Sequence, residues 1–156
     1  PKDNDLYIYP KNLDGALKLI EDAVLSENED EAFYRCLADM APKEDKDKIQ
    51  SILDDEKRHA ILFRNIYCEL TGAILPPAPK AKAKPPKTYC EGLKAALCDE
   101  LSAIEKYRKI LYAMQDRVHI NKMIEIITDE QKHADKLNYL YAKNCACTCK
   151  QQPPKK

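Results

Sequence analysis

The chain reads as an all-α protein, a four-helix bundle made of two similar helical hairpins joined by a long crossover. Three observations predict this. First, turn residues are scarce: there are 3 glycines and no tryptophan in 156 residues, while Ala, Leu, Lys and Glu are plentiful, which favours long helices. Second, apolar residues recur at helical spacing over four separate stretches. Third, the second half of the chain repeats the pattern of the first. A chain of this length suits one domain with a real core.

The first helix runs from about Leu13 to Asp39, with Leu13, Leu17, Ile20, Val24, Glu27, Tyr34 and Leu37 or Ala38 on its inner face. "APKED" breaks it, with Pro42 tolerated at the start of the next helix. The charged run "KEDKDK" (43–48) is a helix start of mixed sign and needs no function. The second helix extends to about Thr71, with Gly72 as its C-terminal cap. Its face carries Ile49, Ile52, Leu53, Glu56, His59 or Ala60, Phe63, Ile66 and Leu70.

Residues 75–87, "LPPAPKAKAKPPK", form an extended linker. In polyproline form it reaches roughly 40 Å, close to the length of a helix of about 28 residues. It can therefore run the length of the bundle and make helices 2 and 3 parallel. Thr88 and Glu91 make a capping box for the third helix, whose face carries Leu93, Leu97, Glu100, Ile104, Tyr107, Leu111 and Met114. Asp116 caps the fourth, with Met123, Ile126 or Ile127, Glu130, His133, Leu137 and Leu140 or Tyr141 inward. His119 has no evident partner and reads as solvated or cap-adjacent. The expected organisation is a domain over 1–144 (hairpin 12–72, crossover 75–87, hairpin 88–143) and a disordered tail over 145–156.

Charge and cysteine content narrow the setting. With 26 basic and 26 acidic residues the net charge is zero, so nothing favours a nucleic-acid or membrane partner in bulk. No apolar segment approaches the roughly 20 residues of a membrane span, and the N-terminus is not a signal peptide. Cys36, Cys68, Cys90 and Cys98 fall in helical patterns and are expected as reduced thiols in a cytoplasm. Cys145, Cys147 and Cys149 alternate on the tail, which is read as inert, with soft-metal binding or chain linking as alternatives.

The repeat carries the chemistry. At an offset of 74, "ILDDEKRHAILFRNIY" (52–67) overlies "IITDEQKHADKLNYLY" (126–141), matching Asp55, Glu56 and His59 to Asp129, Glu130 and His133. At an offset of 73, Glu27, Tyr34 and Arg35 meet Glu100, Tyr107 and Arg108. Each hairpin thus has Glu-x6-Tyr on one helix and Glu-x-x-His on the other. Acids and histidines at spacings of three share a helix face, here the face that should be apolar. Core volume does not ask for an acid at four matched positions. The repeat also separates Glu27 from Glu29, Asp30 and Glu31, whose counterparts are Ser102, Ala103 and Ile104.

Four buried carboxylates would repel one another and lose hydration, unless cations joined them. Two ferrous ions balance four carboxylates, and two ferric ions with a bridging oxide do so too. The expected ligands are Glu27, Glu56, His59, Glu100, Glu130 and His133. Carboxylate and imidazole suit two iron ions, with manganese or zinc as substitutes, and the absence of thiolate counts against a structural zinc site. Tyr34 and Tyr107 also read as ordinary core aromatics, and Asp30 and Glu31 as a solvated face.

Through Glu27…Glu56-Lys-Arg-His59…Glu100…Glu130-Gln-Lys-His133, over roughly 12–143, the sequence resembles the ferritin-like superfamily and, within it, the rubrerythrin family. The resemblance implies a non-haem di-iron centre that reduces peroxide or reacts with oxygen, a role in oxidative stress. It implies bridging roles for Glu56 and Glu130, terminal roles for Glu27 and Glu100, one histidine per iron, and hydrogen bonds from Tyr34 and Tyr107 to the carboxylates. Two departures stand out. The family's second acid on the third helix is replaced by Ala103, with Asp30 as a candidate mobile acid opposite. No rubredoxin domain with paired Cys-x-x-Cys knuckles is present in the sequence, so electrons are expected from a separate rubredoxin-like donor. A homodimer, swapped hairpins included, is a further expected partner. The rival readings are a ferroxidase handling iron and a non-catalytic bundle that metal only stabilises.

Overall fold

The structure is a computed structural model that describes residues 12–79 and 84–146, apart from the side chain of Glu27. Among these residues four long helices account for the architecture: α1 (Leu13–Met40), α2 (Lys46–Thr71), α3 (Tyr89–Tyr112) and α4 (Arg117–Cys145). Their ends follow local chemistry. Asp116 accepts from the amides of Val118 (2.8 Å) and His119, and Thr88 accepts from Glu91 N–H at 3.1 Å. Gly72 closes α2 at φ 73°, giving its N–H to the Cys68 carbonyl, a conformation that costs a residue with a Cβ. Between α1 and α2, Pro42 precedes a short 3-10 turn, Lys43–Asp45.

Side-chain contacts set the topology. Tyr67 donates to Glu21 (2.6 Å), so α1 and α2 are antiparallel. Asn12 reaches the Lys109 carbonyl and Tyr34 meets Glu100, so α1 and α3 are antiparallel too. It follows that α2 and α3 are parallel. Lys136 to Ser51 (2.8 Å) and His119 to Glu69 (2.6 Å) fix α2 and α4 as antiparallel. The first part of the linker, residues 75–79, travels back along the bundle; residues 80–83 of the expected crossover lie outside the described residues. Arg64 donates to the carbonyls of Leu75 and Pro76, and Asn28 to those of Ala78 and Pro79. A proline-rich strand leaves carbonyls without ladder partners, and these two side chains supply them.

The core comes in two apolar plugs. Ile20, Val24, Phe63, Ile66, Ile110, Met123 and Ile126 fill one. Leu37, Ile49, Ile52, Leu53, Leu93, Leu137 and Leu140 fill the other. The Glu and His positions lie in the layer between them. On α1 the inner face is carried by Ala16 rather than Leu17, and on α3 Ile104 is only half-buried, because each helix drifts from the assumed stripe by one position.

Several sequence expectations need correction. Cys90 is not a free thiol. It is bonded to Cys145, at a Cα–Cα distance of 5.7 Å, because antiparallel α3 and α4 bring the start of one beside the end of the other. Cys36, Cys68 and Cys98 are free. With Cys90 paired, the cysteines no longer argue for a reducing compartment. Cys145 closes α4 rather than opening a tail, and residues 147–156, with the rest of the CxCxC motif, lie outside the described residues. His119 is buried and bonded to Glu69. In "KEDKDK", Asp45 is fully buried and accepts from Lys143 (2.7 Å) and Asn144 (2.9 Å), tying α2 to the end of α4. Among the described residues no helix is long and apolar enough to cross a membrane.

Two stability predictions follow from this packing. A Cβ on Gly92 would lie 2.6 Å from Leu37 Cδ1 and 2.9 Å from Pro86 Cγ. Gly92→Ala should therefore destabilise by about 1–3 kcal/mol in urea unfolding, against the helix preference for Ala. Cys90→Ser should cost about 2–4 kcal/mol, given the 55-residue separation it closes. Reducing the wild type should give the same shift, and reducing the variant none.

Candidate metal centre

Glu56 on α2, Glu100 on α3, and Glu130 and His133 on α4 each offer a ligating atom to one point, all within 4.8 Å of one another. His133 Nδ1 lies 3.1 Å from Glu56 Oε1, 3.3 Å from Glu130 Oε2 and 3.7 Å from Glu100 Oε2. His59 Nδ1 lies 3.1 Å from Glu130 Oε1 and 3.8 Å from Glu56 Oε2. The two rings stand 5.8 Å apart. Five of the six expected ligands are thus brought together; the side chain of Glu27, in α1, lies outside the described residues.

The residues behind the histidines are aspartates whose role no helical spacing reveals. His59 Nε2 lies 3.2 Å from Asp129 Oδ2, and His133 Nε2 lies 3.1 Å from Asp55 Oδ2. Each aspartate comes from the helix opposite its histidine. With Nε2–H donated to a carboxylate, Nδ1 keeps its lone pair for the centre, the usual way a protein orients a ligating imidazole. The clue was in the repeat, where an Asp precedes the Glu in both halves.

The donor atoms fit a cation better than one another. Glu56 Oε1, His59 Nδ1 and Glu130 Oε1 are buried without a hydrogen-bond partner. The short approach of His59 Nδ1 to Glu130 is therefore proximity, not a directed hydrogen bond. Buried polar atoms left in this way are costly, and a cation among them would satisfy all three. Carboxylate and imidazole oxygen–nitrogen sets of this kind suit iron or manganese.

Without metal, protons supply the positive charge. Burial works against charge on His133, but the facing Glu100, Glu130 and Glu56 outweigh it and push the ring up to about 12. The same balance, with Glu130 and Glu56 facing, pushes His59 up to about 10. Burial pushes Glu100 up to about 9, reinforced by Glu130 and Glu56 and opposed by His133. Burial also raises Glu130, yet the hydrogen bond from His133 and the charge of the facing His59 outweigh it and hold it well below the usual carboxylate range.

Tyr34 donates to Glu100 Oε1. Burial, then Glu100 and Glu56, push its hydroxyl well above the ordinary range, so it keeps its proton. Tyr107 is buried against Phe63, with ring centres 4.9 Å apart, and is raised by burial and by Glu130 and Glu56. Between α1 and α3 a cleft of about 560 Å³ reaches Glu56, Glu100 and Glu130. Ala103, Ser26 and Ser102 leave it wide, and Glu29, Asp30, Asp99, Lys84 and Lys106 line it further out. Asp30 is exposed to this cleft, yet enclosure by the walls, then Glu56 and Asp99 against Ser26 and Lys106, pushes it up to about 6. Glu31 instead pairs with Arg35 (2.5 Å) and Lys57 (3.9 Å).

The sequence profile of the rubrerythrin family matches residues 18–141, spanning all four helices and this centre. The chain belongs to the rubrerythrin family. The uncharacterized protein YhjR of Bacillus subtilis (strain 168) is 29% identical over 102 residues, 65% of this chain and 69% of that protein. A hypothetical protein from Pyrococcus furiosus has the same fold, with a TM-score of 0.69 at 22% identity over 81% of this chain and 87% of the other. The all-α ferritin-like bundle is thereby established, and rubrerythrin membership supports a di-iron protein.

Metal binding must displace the protons now held by His59, His133 and Glu100. Those pKa values lie above neutrality, so the proton-bound form competes across pH 6–8 and metal affinity should rise with pH. Ferrous titration in weakly buffered anaerobic solution at pH 7 should release about three protons per fully loaded chain. Release of none would mean that these groups are not ligands.

Proposed function

We propose that this rubrerythrin-family protein is a non-haem di-iron oxidoreductase that reduces hydrogen peroxide, or oxygen, with electrons from a separate rubredoxin-like donor. The observation that carries this reading is the convergence of Glu56, His59, Glu100, Glu130 and His133, with three unpartnered donor atoms, at the base of an open cleft. Glu27 completes the ligand set by its place in the repeat. Two irons so held would supply one electron each to cleave the O–O bond of hydrogen peroxide, with two protons taken up to form two waters.

The chain's own residues prepare that chemistry. The cleft admits a small oxidant from the α1–α3 side, while the α2–α4 side is closed by His59, His133 and their aspartates. Tyr34 keeps its proton beside Glu100, where it orients the carboxylate and stands ready as a donor. Tyr107 occupies the matching place on α3, and the repeat pairs it with Glu27. Asp30, pushed up to about 6, can hold or release a proton near neutrality at the cleft. The acidic cleft wall of Glu29, Asp30 and Asp99 favours a second reading, a ferroxidase that admits ferrous ions as substrate. Mixing the di-ferrous protein with peroxide and with oxygen in a stopped-flow instrument separates the two. Faster oxidation by peroxide supports the first, and oxygen-driven turnover of added ferrous iron supports the second.

Ala103 and Asp30 both line the cleft, where one wall lacks a ligand and the other offers a short acid. Asp30→Ala should retain both metals and slow peroxide turnover by about tenfold, whereas Ala103→Glu should speed it. Equal rates in all three proteins would remove ligand exchange from the mechanism.

A further inference from the structure

The two aspartates behind the histidines are themselves gripped by a pair of cations. Arg58 Nη2 lies 2.5 Å from Asp129 Oδ2 and 3.1 Å from Asp55 Oδ1. Lys132 Nζ lies 2.6 Å from Asp129 Oδ1 and 3.9 Å from Asp55 Oδ2. Arg58 also reaches outward to Glu125. An ion cluster half open to solvent contributes little to stability as a rule, so a plain clip between α2 and α4 is the bland account.

Two features go beyond a clip. The first is placement in the repeat: Arg58 and Lys132 correspond at the offset of 74, so both halves read Asp-Glu-x-cation-His. The second is that each carboxylate joins a cation to an imidazole. Asp129 Oδ2 faces both Arg58 and His59 Nε2, and Asp55 takes Arg58 on one oxygen and His133 Nε2 on the other. The two aspartates also repel each other. Without cations between them, water at the open edge would draw them outward. A ring that loses its aspartate is free to turn, or to carry its proton on Nδ1, where the metal needs a lone pair.

We propose that Arg58 and Lys132 are positioning residues of the metal centre, holding Asp55 and Asp129 against the histidines of the opposite helices so that both rings present Nδ1 inward. The inference rests on the metal-centre reading and extends it by one layer. The brace closes the α2–α4 side, opposite the cleft, so it acts on the ligands without touching the oxidant.

The test is cobalt(II) affinity of the full chain, followed by visible absorption, beside the melting temperature of the metal-free protein. The double variant R58Q/K132Q should bind cobalt about 10- to 100-fold more weakly. R58K, which keeps the charge, should recover most of that affinity. E125Q removes only the outward contact of Arg58 and should leave affinity within about twofold. In a D55N/D129N background, R58Q/K132Q should cause no further loss beyond about twofold. Should the double variant fail to fold, K132Q alone should show a smaller loss, again absent in the asparagine background. Unchanged affinity in R58Q/K132Q with a lowered melting temperature would leave only a clip and overturn the proposal. An equal loss in the asparagine background would overturn it as well. Absence of cobalt binding by the wild type would instead overturn the metal-centre reading itself.

Discussion

Packing a layer of glutamates and histidines between two apolar plugs constrains the rest of this molecule. Water cannot solvate these groups well at that depth, and Glu56, Glu100 and Glu130 cannot neutralise one another. Positive charge has to reach the layer, as protons on His59 and His133 or as metal ions. The histidines accordingly keep their protons far above the usual range in the metal-free state, while Glu130 stays ionised between them. The plugs shield the layer from both ends of the bundle. They also give the helices enough buried apolar surface to tolerate it.

Chain topology follows from presenting these groups inward. Two equivalent hairpins place their Glu-x-x-His helices side by side only when the connection between them returns along the bundle. The described start of the linker, residues 75–79, sets off in that direction, its carbonyls met by Arg64 and Asn28. The resulting centre has two unlike sides. Between α2 and α4 it is sealed by aspartates and cations. Between α1 and α3 it opens through a cleft whose width comes from small side chains, Ala103 and Ser102 among them. The cleft between α1 and α3 is thus the wider approach to the ligands, and a smaller pocket between α1 and α2 reaches Glu56 and His59.

Much of this was legible in the sequence because helical periodicity and an internal repeat are local signals. Counting residues placed Glu56, His59, Glu100, Glu130 and His133 on inward faces, and the structure brings them within reach of one another. Caps at Thr88 and Asp116 and the glycine after α2 were equally readable, since each depends on a few neighbouring residues. Stripe assignments slipped by one position at Leu17 and Ile104, because a helix can rotate slightly without changing its pattern.

What the sequence by itself determined is the helical period, the caps, the linker and the doubled Glu-x-x-His pattern, because all of these are written at short range or by repetition. The tertiary structure alone decided which helix lies diagonal to which, and every missed partnership depends on that. Asp55 serves His133 and Asp129 serves His59 across the α2–α4 seam. His119 finds Glu69 across the same seam, and Asp45 finds Lys143. Cys90 meets Cys145 because two antiparallel helices end level. Pairs of this kind are separated by tens of residues, with no spacing rule to join them, and only the packed bundle brings them within bonding distance.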